Sequence, residues 1–118
     1  MIFKHKGLYL DKSPVHGWGV FIGEDIKKGQ LVEECPMASI TQITNDYAFI
    51  DEHLMRYPIT ETTALWFIPT GYSILLNQSY TPNLKWSIDV EKRIMYLHAI
   101  QDIKANEELF IIYEFEKQ

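Results

Sequence analysis

A mainly β domain assembled from many short strands, with little helix, follows from three features of this 118-residue chain. Leu84, Trp86, Ile88 and Val90 alternate with Lys85, Ser87 and Asp89, the period of two that lays one strand face on a core and the other in water. Short apolar runs, Val20-Phe21-Ile22 and residues 64–68 among them, are bounded by Gly, Pro or Thr rather than drawn out to helical length. Finally, one turn chemistry is used twice to enter a strand, as Asp25-Ile26-Lys27-Lys28-Gly29-Gln30-Leu31-Val32 and as Asp102-Ile103-Lys104-Ala105-Asn106-Glu107-Glu108-Leu109. Gly29 and Asn106 hold equivalent places there, as expected where the backbone is left-handed and asparagine is the most tolerant residue after glycine.

Taken in order, residues 8–11 form a first short strand, and Lys12, Ser13 and Pro14 end it. Gly17-Trp18-Gly19 is a tight loop feeding the strand Val20-Phe21-Ile22. It is not a dinucleotide fingerprint, since Ile22 stands where a third glycine is needed and no long amphipathic helix follows. Residues 46–50 fit either a strand or the start of a helical turn; Tyr57-Pro58 marks a break. Residues 64–68 read as a buried strand, and residues 72–76 as one short helical turn. The alternating strand after Asn83 turns at Glu91-Lys92 and returns over residues 93–100 as an antiparallel hairpin. Residues 108–115, nearly all apolar or aromatic, form a central last strand.

At this length one domain spanning residues 1–118 can bury enough surface to fold without a staple. A single cysteine, Cys35, excludes an internal disulfide and a multi-cysteine zinc cage within one chain, and suits a reducing compartment. Its role is core packing. The first residues carry lysines but no sustained apolar run, so neither a secretory signal nor a membrane span is expected. With 16 acidic against 11 basic residues the net charge is -5, which disfavours nucleic-acid binding and permits a basic partner. His5, His16, His53 and His98 show no metal-ligand spacing and no nucleophile elbow is present, so no metal site or hydrolase is expected.

Residues 71–83, GYSILLNQSYTPN, concentrate polar chemistry at the end of an apolar approach. Tyr72, Ile74, Leu75 and Leu76 run straight into Asn77, so that amide emerges from a core element and is partly buried. An unpaired buried amide costs roughly 1 to 3 kcal/mol. Asn77 therefore either ties the turn together or meets a ligand.

Together, HGWGVF, ECP, DYAF, GYSILLNQSYTPN and DIKANEELFIIY, in this order, resemble the SET-domain protein lysine methyltransferases, in particular their minimal single-domain members. The resemblance covers Pro14 to about Phe115. It implies the β-clip of short curved sheets, with the C-terminal segment tucked through a loop near the Asn motif as a pseudoknot. It also implies S-adenosylmethionine as methyl donor and a lysine side chain of a protein as acceptor, histone-like or ribosomal. Gly17, Trp18 and Gly19 would lie against the methionine part of the cofactor, Asn77 would hydrogen-bond it, and the backbone of Gln78 would meet the adenine. Tyr113 falls at the active-site tyrosine, also touching the cofactor, and Tyr47 and Tyr72 would line the lysine channel. Without the resemblance, Tyr113 is a core tyrosine of a central strand.

The implied reaction is a direct displacement with nitrogen, methyl carbon and sulfur in line, to which orientation can contribute several of roughly 7 to 11 kcal/mol. An apolar channel and the sulfonium charge both lower the lysine pKa, so no side-chain base is obligatory. Two departures stand out. Asn77-Gln78 replaces the usual Asn-His, which keeps a donor and an acceptor but not the option of charge. Only Glu114 to Gln118 follow Tyr113, without the cysteine-rich zinc segments of many relatives; a second subunit closing the site, and hence a homodimer, is expected. The alternative is a SET-fold binding module that is weak or inactive as an enzyme. Localisation is expected to be cytoplasmic, or the host nucleus for a viral source.

Overall fold

The computed structural model describes residues 1–40 and 55–112, and within them nine strands and one short 3-10 helix. Leu8–Lys12 (β1), Trp18–Ile22 (β2), Asn77–Gln78 (β6) and Glu108–Ile111 (β9) make one sheet in the order β1-β2-β9-β6. Leu31–Ile40 (β3), Met55–Pro58 (β4), Ala64–Pro69 (β5), Leu84–Asp89 (β7) and Ile94–Ala99 (β8) make the second, in the order β4-β5-β3-β8-β7. The mainly β prediction holds. Residues 46–50, left open above, lie outside the described residues, as do Tyr47 and Tyr113.

Strand β7 keeps the alternation read from the sequence, with Leu84 buried and Lys85 and Ser87 exposed. It pairs antiparallel with β8 from Leu84↔Ala99 to Asp89↔Ile94. Val90 falls in the turn instead of extending the strand. Residues 71–75 form the expected helical turn, Gly71–Leu75, one residue earlier than the apolar pattern indicated. Strand β9 is central, paired antiparallel with β2 and parallel with β6. One core gathers both sheets: Val20, Ile22, Leu109 and Ile111 from the first, and Val32, Cys35, Phe67, Met95, Leu97 and Ala99 from the second. Each large apolar side chain so enclosed contributes about 1.5 to 3 kcal/mol.

The two similar corners face each other. Ile26 and Ile103 form an isolated antiparallel bridge, each donating its N–H to the other's carbonyl at 2.7 and 2.8 Å. Asp25 Oδ1 accepts from Ala105 N and Asp102 Oδ1 from Lys28 N, both at 2.9 Å. Gly29 has φ 89° and Asn106 φ 70°, the left-handed conformation expected of both. A repeated sequence thus becomes a local pseudo-two-fold that clamps the two sheets at one end.

Asn83, only 6% exposed, does the work of a strand backbone. Its Nδ2 donates to Glu108 O at 2.9 Å and its Oδ1 accepts from Phe110 N at 2.8 Å. Asn83→Ala would leave a carbonyl and an N–H of β9 unpaired, each at roughly 1 to 3 kcal/mol. The expected outcome is a loss of about 2 to 4 kcal/mol in urea unfolding, with the slope unchanged.

Candidate functional site

The approach to Asn77 is held from beneath by a buried carboxylate. Glu33 on β3 is 1% exposed. Its Oε2 accepts from Lys4 Nζ at 2.6 Å and from Tyr72 N at 3.0 Å, and its Oε1 from Ser73 N at 3.1 Å. These bonds satisfy N–H groups at the start of the 3-10 helix, which have no intrahelical partner. Cys35 Sγ donates to Glu33 Oε1 at 3.2 Å; burial first, and the Glu33 charge second, push this thiol far up from its ordinary pKa. A thiol held neutral in a core is not a nucleophile, in keeping with the packing role read from the sequence.

The helix delivers Asn77 to the edge of β9. Asn77 Nδ2 donates to His16 O at 2.9 Å and to Glu108 Oε2 at 2.9 Å, with Trp18 O at 3.5 Å. Among the described residues no donor meets its Oδ1. Gln78 pairs with Ile111 in the parallel register, and Ser79 N donates to Ile111 O at 3.0 Å. The Asn corner is therefore stitched to both the glycine loop and the last strand.

Glu108 is the meeting point. Ser13 Oγ donates to Glu108 Oε1 at 2.8 Å and lies 3.0 Å from Oε2. The same hydroxyl accepts from Val15 N at 3.0 Å and His16 N at 3.3 Å, while Ser13 N donates to Gly17 O at 2.8 Å. Loop residues 13–17 are thus wound around Ser13, and Ser13 is anchored on Glu108. A Cβ at Gly19 would come within 2.5 Å of Glu108 Oε2, so a larger residue there would displace this carboxylate from its present place.

Of the residues singled out from the sequence, Gly17, Trp18, Gly19, Asn77 and Gln78 are brought together. Trp18 is 56% exposed on the surface of this cluster. Tyr72 is partly buried, with Lys4 Nζ 5.8 Å from its ring centroid. Trp86 Nε1 donates to Ile112 O at 3.0 Å, fixing the chain just before Tyr113. Sequence reasoning missed Ser13, Glu33 and Glu108 as organising groups. The signal for Glu33 was a carboxylate set among Leu31, Val32 and Cys35; Glu108 appeared only as part of the DIKANEELFIIY motif.

Comparison with known proteins identifies the family of the chain. The model of the SET domain matches residues 17–114. The chain is 28% identical over 127 residues to the Aspergillus oryzae histone-lysine N-methyltransferase, H3 lysine-4 specific, covering 98% of this chain and 10% of the relative. A Debaryomyces hansenii enzyme of the same description is 28% identical over 130 residues, covering 98% and 11%. The chain thus spans about a tenth of the length of the curated relatives it matches. Among solved structures, a Plasmodium falciparum protein described as a candidate histone methyltransferase superposes with TM-score 0.72 at 30% identity, covering 95% of this chain and 96% of that one. A humanized mutant of the Chaetomium thermophilum Polycomb Repressive Complex 2 gives 0.67 at 29% identity, covering 92% of this chain and 15% of the other.

Proposed function

Because the chain belongs to the SET-domain family, we propose that it transfers methyl groups from S-adenosylmethionine to a lysine side chain of a protein substrate. The observation that carries this reading is the convergence of the glycine loop, the Asn77 corner and β9 on the single carboxylate of Glu108. The residues present suit the donor. Asn77 Oδ1 offers an acceptor for an ammonium, and the glycine loop lets the backbone approach closely.

In this reading Gly17, Trp18 and Gly19 hold the methionine part, Asn77 hydrogen-bonds it through Oδ1, and the backbone at Gln78 meets the adenine. When bound, S-adenosylmethionine supplies an electrophilic methyl on a sulfonium. Tyr113 would hold the incoming amine and accept part of the redistributing charge. Tyr47 and Tyr72 would line the channel that strips water from the lysine and favours its neutral form. The β-clip closed by a C-terminal pseudoknot, a second subunit completing the site, and a basic, histone-like substrate suited to a net charge of -5 belong to the same reading.

The test is transfer of labelled methyl groups from S-adenosylmethionine to histones, lysine-rich peptides and cell lysate, with Tyr113→Phe as control. Label on lysine that falls by at least about tenfold, roughly 1.4 kcal/mol of barrier, in the variant supports the reading. Absence of transfer to any lysine by a folded protein that binds S-adenosylhomocysteine would favour the alternative, a binding module whose departure at Gln78 has cost it turnover.

A further inference from the structure

Among the described residues no cation pairs with Glu108. Its two oxygens accept from Ser13 Oγ and Asn77 Nδ2, both neutral donors. The ion pairs among those residues are Lys4–Glu33, His5–Glu24 and Lys6–Glu24. Half-buried and hydrogen-bonded, this carboxylate sits where a positively charged group brought by a ligand would meet it. It stands against Gly19 and Asn77, the groups that the proposed function assigns to the methyl donor.

We propose that Glu108 is a charge-selecting and positioning residue: its anionic carboxylate makes the site prefer the cationic methyl donor over the neutral product. This inference rests on the proposed function. S-Adenosylmethionine carries a sulfonium, an ammonium and a carboxylate, for a net charge of +1. Loss of the methyl group removes the sulfonium charge, and S-adenosylhomocysteine is neutral overall. Coulomb attraction between the Glu108 carboxylate and the ligand therefore weakens once transfer is complete, which assists product release. Glu108 also acts through a neighbour. By accepting from Asn77 Nδ2 it directs Oδ1 of the same amide away from itself, so the oxygen is available to an ammonium.

A purely structural role predicts something different from a charge role. Were Glu108 only a strut for the loop, its removal would weaken donor and product binding alike, and so would removal of Ser13. A charge role separates them.

The experiment is titration calorimetry of the full chain with S-adenosylmethionine and with S-adenosylhomocysteine, for the unmodified protein, Glu108→Gln and Ser13→Ala, with melting temperatures measured in parallel. Glu108→Gln keeps size and an acceptor oxygen and removes the charge. The donor Kd is expected to rise about tenfold and the product Kd less than about threefold, so that the ratio of the two shifts at least threefold. Ser13→Ala is expected to weaken both ligands by similar factors and leave the ratio unchanged. In turnover, Glu108→Gln is expected to raise KM for the donor with kcat within about twofold, the pattern of lost ground-state binding. An unchanged ratio in folded Glu108→Gln overturns the inference while leaving the proposed function standing; failure of the unmodified protein to bind either ligand overturns both. If Glu108→Gln does not fold, the salt dependence of the unmodified protein decides: donor affinity falling with ionic strength more steeply than product affinity is expected, and equal slopes overturn the inference.

Discussion

Glu33→Ala is expected to lower the unfolding free energy by about 3 to 5 kcal/mol, the cost of removing one member of a buried, hydrogen-bonded charge network. The carboxylate is enclosed and accepts from Lys4 Nζ, Tyr72 N, Ser73 N and Cys35 Sγ. Alanine would leave two N–H groups at the head of the 3-10 helix without partners, and a void beneath them. Glu33→Gln keeps one acceptor oxygen and should cost less, about 2 kcal/mol. Urea unfolding of both variants checks the order. Since Gly71–Leu75 delivers Leu76 and Asn77 to β9, binding of S-adenosylhomocysteine should weaken in parallel with stability. A Glu33→Ala protein as stable as the parent would mean that the carboxylate does not hold this turn.

Asn77→Ala is expected to act mainly on binding. The substitution removes donors to His16 O and Glu108 Oε2 and the oxygen offered to the ligand. The surrounding acceptors are partly reached by water, so the stability loss should be about 1 kcal/mol. The Kd for S-adenosylhomocysteine should rise about thirtyfold, equivalent to one hydrogen bond to a charged ammonium at roughly 2 kcal/mol. Calorimetry alongside thermal melting separates the two effects. Equal binding by parent and variant would remove Asn77 from the site.

How far the sequence revealed this arrangement depends on how local the cause is. The β7–β8 hairpin was legible because alternation and a turn lie within one stretch, Leu84 to Ala99. The paired corners were legible as a repeat, and the left-handed Gly29 and Asn106 as its consequence; that the copies face each other through Ile26 and Ile103 was not, since nothing local encodes it. The same limit explains the missed carboxylates. Glu33 reaches Tyr72 across 39 positions and Glu108 reaches Ser13 across 95. A charged residue within a strand looks solvent-facing until its partners are known. Asn77 and Asn83 were conspicuous by residue type, yet their division of labour emerged only in three dimensions, Asn83 serving the backbone of β9 and Asn77 the glycine loop. The parallel pairing of β9 with Asn77–Gln78 was not foreseen; the family resemblance implied only a C-terminal segment passing near the Asn motif.

The convergence of three distant segments on one ligand can be read directly by following backbone amide chemical shifts while S-adenosylhomocysteine is added to the full chain. Saturable shifts grouped at Gly17, Trp18, Gly19, Asn77 and Gln78, with the corners at Asp25 and Asp102 unmoved, are the expected outcome. No shifts at millimolar ligand, or shifts grouped at those corners instead, would contradict the assignment of the Asn77 corner and glycine loop as a methyl-donor site.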